Sequence, residues 1–142
     1  MHLDLSEVPE PVSGLVPTLE AEGFELVAQR GDGTVNRLIE LRRGSFGVRI
    51  TADRGQWWIE LGGPDLADWF DPDIWEACLD DVPVEMEPSG LQQRVDVVRA
   101  RWREAADRLD SSPEIKECLD RKRSTRARTR LGLPPRYENG SG

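Results

Sequence analysis

Hydrophobic and polar residues alternate through four segments in the first half of the chain. This period of two predicts β-strands at Phe24–Arg30, Val35–Arg43, Phe46–Asp53 and Gln56–Leu61. The segments are joined by Asp32-Gly33, Gly44-Ser45 and Arg54-Gly55, with glycine where a two-residue hairpin turn needs a positive φ. We therefore predict a four-stranded antiparallel meander in which each turn fixes the register of its hairpin.

The predicted register sorts the side chains of the meander onto two faces. The inner face carries only apolar rows, Leu26–Ile39–Ile50–Ile59 and Phe24–Leu41–Val48–Leu61, and should be buried. The outer face carries Glu25–Glu40–Arg49–Glu60, an expected cross-strand ladder of charges, and beside it Val27–Leu38–Thr51–Trp58. Because this last row is largely apolar, another segment covers the outer face or a partner binds there.

Helical spacing of apolar residues appears on both sides of the meander. One short helix should precede it, over about Val12–Glu22, and end at Gly23. Three helices should follow, one capped by Asp71 and running from Pro72 to about Leu79, one over Leu91–Leu109, and one from Ser112-Pro113-Glu114. We predict an α+β fold with helices packed on one face of the meander, in the order α-ββββ-α-α-α. Residues 1–131 should form a single domain and residues 132–142 a flexible C-terminal tail.

The charges of the 142-residue chain are unevenly placed. Its formal net charge is −8, from 27 acidic and 19 basic residues. Residues 1–112 contain 23 acidic and 11 basic residues, whereas residues 113–142 contain 4 and 8. Between Arg54 and Arg94 there is no base, but there are ten carboxylates and four of the five tryptophans. Such a segment favours a basic partner and argues against nucleic acid as the ligand of the main body.

The sequence contains no catalytic or cofactor-binding pattern. The only histidine is His2, near the end of the chain, and no nucleophile elbow or phosphate-binding loop is present. Asp65, Asp68, Asp71 and Asp73 are spaced like oxygen ligands, but they lack the loop of an EF-hand, and helix capping accounts for the last two. We therefore expect a protein that is not an enzyme and holds no metal and no cofactor.

Cys78 and Cys118, the only cysteines, both fall in helical patterns without metal-site spacing. We expect them to stay reduced, as small buried side chains in the cytosol. No apolar run approaches the length of a membrane span, and the first residues lack the layout of a signal peptide. These features predict a cytoplasmic protein without membrane association.

The tryptophans divide according to the predicted periodicities. Trp57, Trp75 and Trp102 should lie in the core, whereas Trp58 points outward beside Glu60. Trp58 is therefore the strongest candidate for a contact residue, because exposed tryptophan is unusual unless it binds or is covered. Trp69 and Phe70 precede a capped helix, and we expect them to anchor that loop to the core.

The segment Arg121–Arg130 holds six bases in ten residues. It contains no aromatic side chain on which a nucleic-acid base could stack. Two interpretations remain open: the segment contacts nucleic acid, or it is a helix end that lies near the acidic interval of its own chain.

The run RITADRGQWWIEL at Arg49–Leu61, followed by DWFDPDIW at Asp68–Trp75, resembles small bacterial proteins of the immunity type from polymorphic toxin systems. The resemblance covers roughly residues 20–110. It implies a protein that neutralises a secreted toxin by binding it, with no cofactor and no catalytic site.

We therefore expect a cytosolic binding protein that occludes a basic protein partner through an acidic, tryptophan-containing surface. Its expected contact residues are Trp58, Glu60, Asp65, Asp68, Trp69, Asp71 and Asp73. One alternative is a nucleic-acid-associated regulator that acts through Arg121–Arg130. Another is a scaffold domain that self-associates through the row of Val27, Leu38 and Trp58. The sequence does not fix the oligomeric state.

Overall fold

The computed structural model describes residues 5–32, 36–63, 68–85 and 89–130. Its elements are α1 (Glu10–Ala21), β1 (Glu25–Asp32), β2 (Asn36–Arg43), β3 (Phe46–Asp53), β4 (Gln56–Gly63), β5 (Asp68–Phe70), α2 (Pro72–Asp80), α3 (Leu91–Ser111) and α4 (Ile115–Arg130). The strands form one antiparallel sheet in the order β1-β2-β3-β4-β5. The predicted α+β meander with its four helices is confirmed, and the three-residue strand β5 is an addition to it. Asp65 and the predicted tail, residues 132–142, lie outside the described residues.

The register of β2, β3 and β4 agrees with the prediction. Leu41, Val48 and Leu61 lie opposite one another, as do Ile39, Ile50 and Ile59. The turn between β3 and β4 has positive φ at both central residues, 55° at Arg54 and 83° at Gly55. This is the geometry of a tight two-residue hairpin, which holds the two strands in register.

The register of β1 differs from the prediction already at the hairpin end, where Gly31 pairs with Arg37 and Asp32 with Asn36. The predicted two-residue turn at Asp32-Gly33 is therefore wrong, and an irregularity between Leu26 and Ala28 shifts the remaining pairs by one residue. Leu26 lies opposite Leu41 instead of Ile39, and Ala28 replaces Glu25 opposite Glu40. A bulge of this kind inserts one extra residue into a strand and shifts all later pairs. The predicted pairs of β1 with β2 are therefore wrong. Residues 33–35, which connect the two strands, lie outside the described residues.

The core lies between the inner face of the sheet and the helices. The ring centroids of Phe24 and Trp102 are 4.9 Å apart, and those of Phe46 and Trp75 are 6.0 Å apart, both in edge-to-face packing. The indole nitrogen of Trp75 donates a hydrogen bond of 3.0 Å to the carbonyl oxygen of Leu61, which ties α2 to β4. The predicted core positions of Trp75 and Trp102 are confirmed.

A disulfide between Cys78 and Cys118 joins α2 to α4. Their Cα atoms are 6.0 Å apart, within the usual range for a bridge. The expectation that both cysteines stay reduced is therefore wrong, because helix packing brings together two residues that are 40 positions apart in sequence. The bridge helps to hold α4, whose buried apolar residues are Ile115 and Leu119.

Among the helices of the described ranges, none combines the length and the apolar character needed to span a bilayer.

Candidate functional site

The outer face of the sheet presents three neighbouring rows of side chains. They are Leu38–Thr51–Trp58, Glu40–Arg49–Glu60 and Arg42–Gly47–Gly62–Trp69. The buried cluster of the molecule joins the helices to the inner face. On the outer face, Trp58 keeps 39% of its surface exposed. The prediction that Trp58 points outward is confirmed.

Trp69 packs on the outer face, above two glycines of adjacent strands. A Cβ atom on Gly47 would lie 2.9 Å from Cη2 of Trp69, and one on Gly62 would lie 3.3 Å from its Cε3. The row thus uses glycines to make room for the indole, a known way of covering glycine in a sheet. We expected Trp69 and Phe70 to anchor a loop to the core. Phe70 does so from β5, whereas Trp69 lies on the opposite face.

The expected charge ladder has the predicted register in β2, β3 and β4 but not the predicted pairing, and Glu25 of β1 is not part of it. Glu40 accepts a hydrogen bond of 2.8 Å from Nε of Arg42, its neighbour on the same strand. The guanidinium carbon of Arg49 lies 5.4 Å from the centroid of the Trp69 ring, and its buried Nε has no hydrogen-bond partner within the described ranges. Glu60 forms no hydrogen bond or ion pair with any residue that the structure describes. The ladder therefore leaves the carboxylate of Glu60 unpaired.

The surroundings of Glu60 disfavour its charged form. Burial raises the pKa of the Glu60 carboxyl, and the nearby carboxylates of Asp71 and Asp68 raise it further, against the attraction of Arg49. Burial also raises the pKa of Asp71, although the hydrogen bond from the backbone of Asp73 acts in the opposite direction. Two partly buried acids therefore lie near each other at this edge of the sheet.

Asp71 has a structural role that also supports Trp58. Its side chain caps α2 by accepting a hydrogen bond of 2.9 Å from the backbone of Asp73, as predicted. Its Oδ2 also lies 3.4 Å from Nε of Arg94, at the start of α3. Arg94 is only 6% exposed, and its guanidinium carbon lies 5.5 Å from the centroid of the Trp58 ring. Asp71 and Arg94 thus form a support behind one side of the indole.

Asp68 and Asp73, which we expected to contact a partner, are engaged with α4. Asp68 lies 2.7 Å from Nη2 of Arg123, and this hydrogen bond lowers the pKa of Asp68. Asp73 accepts hydrogen bonds from the backbone and the hydroxyl of Ser89, at 2.8 and 2.6 Å. The same carboxylate lies 3.4 Å from Nη2 of the buried Arg126. Both aspartates therefore hold α4 in place.

The basic segment of α4 lies against the acidic interval. Lys122 donates to the carbonyl oxygen of Val82 at 2.9 Å, and Nε of Arg126 donates to that of Glu85 at 2.9 Å. From α3, Arg101 binds Asp80 through two hydrogen bonds of 2.8 Å each. Of the two interpretations of Arg121–Arg130, these contacts correspond to the second, in which the helix end lies on its own chain.

One interpretation placed Arg121–Arg130 near the acidic interval, but the sequence did not predict the individual pairs. The arginines that form them are Arg94, Arg101, Arg123 and Arg126. The composition gave one signal of such pairs. An interval with ten carboxylates and no base can form ion pairs only with cations from other parts of the chain. The spacing of the arginines along α3 and α4 does not reveal which acid each one meets. Those pairs depend on how the helices cross.

A groove of about 850 Å³ lies between α2, α3 and the segment after α2. The carboxylates that line it include Asp73 and Asp80, which are already bound by Ser89 and Arg101. Within the described ranges, no three His, Cys, Asp or Glu side chains come together as a group that could hold a metal ion.

No protein-family model matches the chain, and no curated protein or solved structure shows significant similarity to it. The geometry divides the expected contact residues into two groups. Trp58, Glu60 and Trp69 lie on the outer face, with Asp71 at its edge. Asp68 and Asp73 are paired with α4, and Asp65 is outside the described residues.

Proposed function

We propose that the protein is a non-catalytic binding protein that occludes a protein partner with the outer face of its sheet. The observation that carries this proposal is the exposed Trp58, which stands beside the partly exposed Leu38 and Thr51. Next to it lies Glu60, which forms no ion pair with any described residue. A tryptophan in such a position supplies a large rigid contact area, and tryptophan is enriched among the residues that dominate binding energies.

The proposed partner is a basic protein, of the toxin class that immunity proteins neutralise. The net charge of −8 favours approach of a basic molecule and raises the rate of association. The acidic interval itself contributes less than its sequence suggests, because α3 and α4 supply cations to Asp68, Asp71, Asp73 and Asp80. In the proposed mechanism the net charge therefore attracts the partner, and the outer face of the sheet holds it in the complex.

The nucleic-acid alternative has less support in this geometry. Arg123 and Arg126 are bound by carboxylates, and Lys122 is bound by a carbonyl oxygen. Phosphate groups would have to compete with these contacts. Self-association through the outer face uses the same surface as the proposed function, and sedimentation of the isolated protein distinguishes the two.

The proposed location is the cytosol, where an immunity-type protein would meet a toxin made by the same cell. That compartment keeps thiols reduced. Cys78 and Cys118 would then spend time as thiols, so the fold would have to persist without the bridge.

The test starts from the gene neighbourhood, where we expect a secreted protein with a C-terminal toxin domain, and then measures protection against that domain. Co-expression of the wild-type chain should restore growth, and the purified proteins should form a complex. Trp58→Ala should weaken that complex about 30-fold, the loss typical of a central hot-spot residue. Val82→Ala is the matched control, because Val82 is 45% exposed but lies after α2, away from the sheet.

An equal loss in both variants, or in neither, would contradict the outer face as the binding surface. A neighbouring toxin that the chain neither binds nor neutralises would contradict the immunity role itself.

A further inference from the structure

Glu60 is the exception among the acids of the base-free interval that surround the edge of the sheet. Asp68, Asp71 and Asp73 each have an arginine within ion-pair distance, namely Arg123, Arg94 and Arg126. Glu60 has no such partner among the described residues, although it is partly buried. A partly desolvated carboxylate without an ion pair or a hydrogen bond is unfavourable in the free protein.

The two arginines that attract Glu60 are directed elsewhere. Arg49, directly opposite on β3, lies over the Trp69 ring, and Arg123 binds Asp68. Both lower the pKa of the Glu60 carboxyl through their charge, but neither forms an ion pair or a hydrogen bond with it.

The position of Glu60 on the outer face makes it accessible to a partner. On β4 it stands between Trp58, in one flanking row, and Gly62, which is covered by Trp69 in the other. The site therefore offers a carboxylate with an indole on either side. This combination suits a cation that is flat and forms several hydrogen bonds, because indole faces attract cations and a carboxylate accepts two parallel N–H groups from a guanidinium.

We propose that Glu60 binds an arginine side chain of the partner protein, whose guanidinium stacks against Trp58. The inference rests on the proposed function and specifies the chemistry of its partner. An incoming anion is disfavoured, because the carboxylates of Glu60, Asp71 and Asp68 act together at this edge of the sheet. Lysine would supply the charge but not the planar pair of donors.

The experiment uses two short peptides as probes, acetyl-Gly-Arg-Gly-amide and its citrulline analogue, which has a similar shape but no charge. Each is titrated into the full chain while the indole N–H resonance of Trp58 is followed by NMR. We expect a saturable shift with the arginine peptide and binding about tenfold weaker with the citrulline peptide. Glu60→Gln should reduce binding of the arginine peptide to the level of citrulline.

The control variant is Glu117→Gln, which removes one negative charge from an exposed position on α4 and should leave binding unchanged. Equal binding of the two peptides, no saturable shift with either, or full binding by Glu60→Gln would overturn the inference. Its failure is distinguishable from that of the proposed function. If toxin binding depends on Trp58 but not on Glu60, only the arginine contact is wrong; if it depends on neither, the binding surface is wrong.

Discussion

Two regions of the molecule hold partly buried acids from the same stretch of sequence. At the seam between α2 and α4, Asp73 accepts two hydrogen bonds from Ser89 and faces the buried Arg126. On the outer face of the sheet, Glu60 has no partner among the described residues. Because removing one member of a buried pair leaves the other charge uncompensated, the seam acids contribute to folding. Glu60 gains little from the folded state, so its pairing is available to a partner.

The comparison predicts that changes at the seam lower stability, whereas changes on the outer face affect binding and leave the fold intact. The arginines of α3 and α4 determine this division. They form ion pairs with the acids nearest to α2, namely Asp68, Asp71 and Asp73. They form none with Glu60, which points away from the helices.

The largest effect on stability should come from breaking the Cys78–Cys118 bridge, which closes the seam. A disulfide between residues 40 positions apart restricts the unfolded chain by about 4 kcal/mol in the loop-entropy estimate. We expect the reduced protein to lose about that much free energy of unfolding in a urea titration. The double variant Cys78→Ala/Cys118→Ala should be similarly less stable and should not respond to reductant. An oxidised and a reduced wild type of equal stability would show that the seam holds without the bridge.

A smaller effect is expected from Asp73→Ala. This change removes both acceptors of Ser89 and leaves Arg126 buried without its carboxylate, which costs about 3 kcal/mol for a buried pair. The measurement is again urea unfolding. Asp96→Ala is the control, because Asp96 is exposed and binds only the side chain of Gln92, and its effect should stay within about 0.5 kcal/mol. A similarly small loss of stability in Asp73→Ala would contradict the predicted difference between the seam and the outer face.

The sequence was sufficient to predict the fold where two independent signals agreed. In β2, β3 and β4, the turns and the apolar alternation specify the same register, and the structure has it. In β1 the predicted turn was misplaced, because Asp32 pairs with Asn36 across the hairpin. The bulge at Val27 shifts the later pairs by one residue, which alternation alone does not reveal.

The candidate site was predictable to a smaller extent. Trp58 could be placed on the outer face because a strand alternates strictly and its neighbour Trp57 is inward. The pairs of Asp68 with Arg123 and Asp73 with Arg126 span more than 50 residues and depend on how α4 packs against β5 and α2. The disulfide depends on the crossing of α2 and α4. Local patterns contain no information on these contacts, and so two expected contact residues proved to be engaged with α4.

The smallest expected effect is a pH-dependent change in the free energy of unfolding caused by Glu60→Gln. It is also the most direct test of the difference between the seam and the outer face. Burial raises the pKa of Glu60 above its ordinary value of 4.5, so the folded state holds this proton more tightly than the unfolded state. The resulting stabilisation is complete below about pH 4.5 and is lost as the pH rises through the folded pKa. Glutamine does not titrate, so the variant should gain stability relative to wild type between pH 4.5 and pH 7, by about 0.5 kcal/mol.

Asp68→Asn should show the opposite sign. Its hydrogen bond from Arg123 lowers the pKa of Asp68, so the carboxylate stabilises the fold at neutral pH and loses that contribution as the pH falls. Urea titrations of both variants at pH 2.5, pH 4.5 and pH 7 measure the two slopes on one scale, because Asp68 loses its contribution only below its ordinary pKa of 3.8. If Glu60→Gln were instead less stable than wild type at pH 7, Glu60 would already be paired in the free protein. The acid of the outer face would then be paired like those of the seam. An incoming arginine would have to displace an existing contact.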